Sequence, residues 1–170
     1  KKDFEATGGT EYTPGNGYKY HKFTSSGSLV VSAPEAVNID VLVVAGGGGG
    51  GSYYGGGGGA GGVAHAESMP IGSGTYPVNI GSGGLDGGSG GGSGGGDPGP
   101  VSDGAATQPG TNPSPFVTDY GNQGGFSTPT GGYAPAGGGG AGAAGGNIDG
   151  DIPGAGNGGT GRAFPTFAYP

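Results

Sequence analysis

The chain contains no cysteine, no tryptophan, one methionine and two histidines in 170 residues. Without cysteine it has no disulfide framework and no thiolate metal site, so the usual staple of a small extracellular domain is missing. Charge is scarce and one-sided, with 5 Lys and Arg against 12 Asp and Glu and a net charge of −7. Proteins that grip nucleic acid or an anionic membrane surface need a basic patch, and this balance sets both partners aside. No apolar run approaches the roughly 20 residues of a membrane helix, so membrane insertion is not expected. The opening KKDFEATGG also lacks the apolar stretch of a signal peptide. That points to a removed leader or to release by a route such as lysis. Hydrophobic residues make up 30% of the chain, far below the roughly 45–50% apolar norm, which counts glycine. A conventional core can therefore cover only part of it.

What fills the remainder is glycine: 52 residues, with 14 prolines beside them. Such a composition usually signals disorder, because glycine loses more freedom on folding than any other residue. Disordered chains, however, are rich in charge and poor in aromatics, whereas here charge is 10% and Tyr and Phe number 9 and 6. The chain is short of charge, not of adhesive side chains.

The first 45 residues read as β structure. YKYHKFTSSGSLVVS alternates around Tyr18, Tyr20 and Phe23 before Leu29, Val30 and Val31, with Ser25–Gly27 placed as a hairpin turn. VNIDVLVVA sets Val37, Ile39, Val41 and Val43 on one face, and its far end is apolar on both faces, which predicts burial on both sides. TYPVNI is a further strand, and Pro77 predicts that it lies at a sheet edge. FVTDY is a modest strand in an otherwise Pro/Thr/Asn-rich stretch. No segment has a helical period with caps. The organisation expected is sandwich strands over 1–45, glycine-rich helices over 46–96 with a returning strand at 74–81, loops with a short strand over 97–136, and a second glycine-rich segment with a tail over 137–170.

The glycine blocks Gly46–Gly51, Gly55–Gly62, Gly87–Gly96 and Gly137–Gly146 admit two readings. They are flexible linkers, or they are polyglycine II rods, with three residues per turn and about 3.1 Å rise per residue. A single rod only binds water. Several side by side can bond to one another through backbone groups, provided no Cβ blocks the approach. The blocks join strands without a charged spacer, which favours packed rods and makes Gly58 and Gly140 tight packing positions. Side chains are then confined to the turns and the outer surface.

Chemistry has little to work with. His21 is expected to face solvent and His65 to lie at a surface or interface, neither in a metal-ligand or triad spacing. Asn147–Asp151 offers oxygens for calcium but lacks the spaced acids of a binding loop and reads as a turn. GxGxxG matches have neither a following helix nor a distal acid. No catalytic residue, metal or cofactor is expected, and the chain reads as non-enzymatic.

Five stretches, taken together, carry a resemblance: ATGGTEYT (Ala6–Thr13), YKYHKFTSSGSLVVS (Tyr18–Ser32), IDVLVVAGGGGGG (Ile39–Gly51), GGGGAGGV (Gly56–Val63) and GTYPVNIGSGG (Gly74–Gly84). In this order they resemble the glycine-rich domain of bacteriophage tail-fibre and appendage proteins. The resemblance implies an all-β fold, a jelly-roll-like β-sandwich carrying a polyglycine II bundle, with almost no α-helix. It is similar in architecture to the glycine-rich region of anaplastic-lymphoma-type receptor kinases. It also implies a virion or extracellular location, and aromatic turn residues that touch a bacterial surface protein or glycan or a neighbouring subunit. The matching positions are Tyr53 and Tyr54, with Tyr133, Tyr120 and Phe116. The Pro/Asn/Thr-rich stretch Asp97–Pro115 and the ending RAFPTFAYP depart from the pattern. That ending suits an alternative, a glycosylated non-phage filament of identical subunits assembled head to tail, whose terminal segment completes a neighbour's sheet.

Overall fold

In the computed structural model of the chain, the structure describes residues 4–48, 57–80, 115–125, 127–128, 135–149 and 156–167. They form an all-β protein without an α-helix among them. The strands are β1 (Glu5–Thr7), β2 (Thr10–Tyr12), β3 (Tyr20–Lys22), β4 (Gly27–Ser32), β5 (Val37–Val44), β6 (Val63–Ile71), β7 (Gly74–Val78), β8 (Val117–Tyr120), β9 (Ser127–Thr128) and β10 (Ile148–Asp149), with one 3-10 turn at Pro165–Phe167. Two three-stranded antiparallel sheets, β1-β4-β7 and β5-β6-β8, make up most of the fold. The antiparallel pair β2-β3 and the parallel pair β9-β10 complete it.

The side-chain core lies where the two larger sheets meet. Ala6 of β1, Val31 of β4 and Ile71 of β6 are buried together, with Leu29, Ala33, Val37 and Ile39 packed around them. Period-2 alternation puts these residues on inward faces. The Ser73 hydroxyl joins the β6–β7 connection to the β4–β5 connection, accepting from the Ala33 N–H at 2.8 Å and donating to the Ala33 carbonyl at 2.7 Å. Among the described residues β7 pairs with β4 alone, which places Pro77 on an edge strand.

Residues 20–32 do not form a hairpin. β3 pairs with β2, whereas β4 pairs with β1 and β7, so the bend at Thr24–Ser26 carries the chain from one sheet to another. The same switch occurs between β1 and β2 at Gly8 and Gly9, whose φ angles are +121° and +64°. A Cβ at Gly9 would stand 2.6 Å from the Lys22 carbonyl oxygen, so the crossing needs glycine for both conformation and space.

β6 is the longest strand and the centre of its sheet, and a bulge sets its facing. Ile39 lies opposite Met69 but Val41 lies opposite Ala66, so β6 uses one more residue than β5 between the two pairs. Ser68 takes φ +52° there, and its N–H donates to the Asp40 carboxylate at 2.9 Å. The inward set of β6 thereby changes from Met69 and Ile71 to Ala64 and Ala66, and His65 is turned to the outer face. The far end of β5 is not buried on both sides: Val43 and Val44 are 53% and 62% exposed. β5 is an edge strand, and no described layer covers that end.

Candidate functional site

The glycine segments 45–48, 57–62, 121–125, 135–140, 142–147 and 156–161 run beside one another and bond laterally through backbone groups. Ala45 donates to Gly62 at 2.8 Å, Gly48 to Gly59 at 3.0 Å, Ala60 to Gly139 at 3.0 Å, Gly125 to Gly137 at 2.7 Å and Gly146 to Asn157 at 2.8 Å. Ala136 to Gly140 form a wholly buried central run.

Between Gly137 and Gly140 the bonding and side-chain directions return after three residues. The N–H groups of Gly137 and Gly140 both reach the 143–146 segment, donating to Gly146 at 3.1 Å and to Ala143 at 2.9 Å. The carbonyls of Gly137 and Gly140 both accept from the 121–125 segment, from the Gly125 N–H and from the Asn122 side-chain amide at 2.8 Å. The carbonyl of Gly138 accepts from Gly159 at 2.7 Å and that of Gly139 from Ala60. The empty side-chain directions repeat likewise. A Cβ at Gly137 would collide with the Asn157 carbonyl and one at Gly140 with the Thr160 carbonyl, while Gly138 faces Gly58 and Gly139 faces Asn122. A β-strand would repeat after two residues. Four successive positions therefore lean on three different neighbours, and only glycine leaves room for all of them.

The second cluster is aromatic. The His65 ring makes edge contacts with Phe164 and Phe167, at centroid distances of 5.1 and 5.7 Å. Phe164 lies 5.6 Å from Tyr120, over which the Arg162 guanidinium stands at 4.2 Å. Phe167 lies 6.5 Å from Tyr20, whose hydroxyl donates to the Thr166 carbonyl at 2.9 Å. Pro165 fits the first position of the 3-10 turn, and the Phe167 N–H donates to the Phe164 carbonyl at 3.0 Å, which brings both phenylalanines to one side. His65 is left with a side chain 10% exposed, Glu67 at 3.8 Å from Nδ1, and Nε2 buried without a hydrogen-bond partner. It is thus covered by the chain's own tail, not by solvent. His21 is half-buried, with Nδ1 at 2.9 Å from the Gly8 carbonyl oxygen, because the crossing at Gly8 lies over it.

The glycine-rich domain family matches residues 24–168. The chain belongs to this family. No curated protein and no solved structure matches it.

Of the aromatic positions singled out in this family member, Tyr53, Tyr54 and Tyr133 lie outside the described residues. Phe116 is 44% exposed at the turn leading into β8. Tyr120 is half-buried, with its ring between Phe164 and Arg162. Gly58 is half-buried and offers its carbonyl to the space where Gly138 lacks a side chain, and Gly140 is buried. Within the Asn147–Asp151 stretch, Ile148–Asp149 form a parallel pair with Ser127–Thr128, and residues 150–151 lie outside the described residues. A groove of about 210 Å³ beside Thr10, Lys22, Phe23 and Ser28 is smaller than the roughly 300–1,000 Å³ of small-molecule sites. Among the described residues no His, Asp and Glu set of three could hold a metal ion. Sequence reasoning missed β6 and the Phe164–Phe167 cover. The FPTF spacing was the available signal for the cover.

Proposed function

We propose that this chain is a structural, non-enzymatic part of a bacteriophage tail fibre or a similar extracellular appendage. In this reading its sheets anchor a bundle of polyglycine II rods, and the turns between rods hold aromatic residues against a bacterial surface protein or glycan. The observation that carries the reading is the three-residue recurrence at Gly137–Gly140, which matches the three residues per turn of a polyglycine II or polyproline II helix. Rods tied on several sides make a stiff platform without an oily interior, and tyrosine suits the loops because it offers a large, rigid contact area. The ordered resemblance from Ala6 to Gly84 supports the phage setting.

The alternative filament, assembled by donating the terminal segment to a neighbour, needs that segment free. Residues 162–167 instead contact Tyr20, His65 and Tyr120 of their own chain. The test applies fluorescently labelled protein to a panel of intact bacterial strains. The appendage reading expects a subset of strains to be stained, and expects Tyr53→Ser with Tyr54→Ser to abolish staining at unchanged melting temperature. Staining of no strain, with open filaments on negatively stained grids, would contradict it.

A further inference from the structure

We propose that the open edge of β5 pairs antiparallel with the same edge of a second copy, joining two chains about a two-fold axis at Val43. The Ala45 N–H donates inward to Gly62, and period-2 alternation makes Val43 and Val41 inward-bonding as well. The N–H and C=O groups of Leu42 and Val44 therefore point away from β6, toward a side where no described strand lies. Val43 and Val44 are on opposite faces and both more than half exposed, so among the described residues this strand end is unpaired on its outer edge and exposed on both faces.

The other described edges are blunted in the ways that normally prevent such pairing. β7 carries Pro77, and β1 and β8 are three and four residues long. β5 has eight residues without proline or a basic gatekeeper. Its one charge, Asp40, accepts the Ser68 N–H in the bulge. In a chain of net charge −7, residues 41–48 carry no charge at all, so two copies meet there without local repulsion.

A second copy is the occupant that matches this edge. With the axis at Val43, Leu42 of each chain lies opposite Val44 of the other, each pair exchanging both N–H···O bonds. Asp40 falls opposite Gly46 of the second copy, so no carboxylates face each other. The contact uses the same patch on both chains and closes at two. It holds whether or not the chain belongs to a phage appendage.

Sedimentation equilibrium of the full chain over a concentration series tests this. Wild type is expected to approach twice the 15.7 kDa chain mass. Val44→Pro removes an outward donor but no β5-β6 bond, and Val44→Lys adds a gatekeeper charge. Each is expected to weaken association at least roughly tenfold with unchanged melting, while Val30→Thr, at an exposed valine of β4, leaves it intact. Three results overturn the proposal: a wild type that stays monomeric to about 100 μM, within the micromolar range of weak association; a dimer indifferent to both Val44 variants; or mass growing past two copies.

Discussion

The two halves of this molecule answer the same physical problem in opposite ways. Around Ala6, Val31 and Ile71, side chains alternate with period 2 and exclude water from between two sheets. Around Gly137–Gly140, recurrence is every three residues, and the buried material is backbone bonded to backbone. In the first region stability comes from apolar groups removed from water, roughly 25 cal/mol per Å². In the second it comes from satisfied amide groups and close contact, which any side chain would prevent. Adding atoms should therefore be the worst change in one region, and removing them the worst in the other.

The sharpest break in this comparison is Gly140→Val. The new side chain would meet the Thr160 carbonyl and, at 2.5 Å, that of Gly159. A loss of roughly 5 kcal/mol or more, comparable to a whole domain's stability, is expected. Gly161→Ala, with no atom within 4 Å of its added Cβ, should stay within about 0.5 kcal/mol of wild type. Thermal unfolding of the pair reads the difference, and equal melting temperatures would remove the tight-packing account. Next comes Ile71→Ala, which empties the sandwich core and should cost about 2–5 kcal/mol. By hydrogen exchange it should loosen β4 and β5 before the glycine segments. Uniform loosening would show that the halves are one cooperative unit.

A smaller effect belongs to the bulge. Ser68→Gly removes the cost of a left-handed non-glycine residue while keeping the backbone N–H that bonds Asp40. A gain of about 0.5–1 kcal/mol is expected in chemical denaturation, and a loss would mean that the serine side chain itself supports the turn. The smallest concerns Glu11. The Lys19 ammonium, hydrogen-bonded to its carboxylate at 2.6 Å, holds it below its ordinary value. A lowered carboxyl favours the fold above the ordinary glutamate range, and that contribution disappears as pH falls through the lowered value. The pair is exposed, so the consequence for stability is slight. An NMR titration should show the Glu11 midpoint rise in Lys19→Ala, and an unmoved midpoint would contradict the pairing.

Much of the strand content was legible because β5 and β7 announce themselves through alternating valine, isoleucine and tyrosine, and Pro77 marks an edge by its missing donor. β6 was not, because half of its inward positions are alanine and the bulge at Ser68 shifts their parity midway, so VAHAESMPI shows no single period. The supposed turn at Ser25–Gly27 has ordinary hairpin chemistry, but pairing is chosen by distant strands, which local composition does not report. The burial of His65 depends on Phe164 and Phe167, nearly 100 residues away in sequence. Mutual bonding of the glycine blocks could be argued beforehand only as one of two readings. The lateral bonds and the matching directions at Gly137 and Gly140 are a property of neighbours in space.

The most direct measurement is residue-resolved amide exchange at Ala60, Gly137, Gly140, Gly146 and Gly159. If bonded backbone takes the place of a side-chain core, these amides should be protected to a degree comparable with Val63–Ala66 in the centre of the sheet. Exchange at the rate of an unstructured peptide, with the strands still protected, would contradict the account.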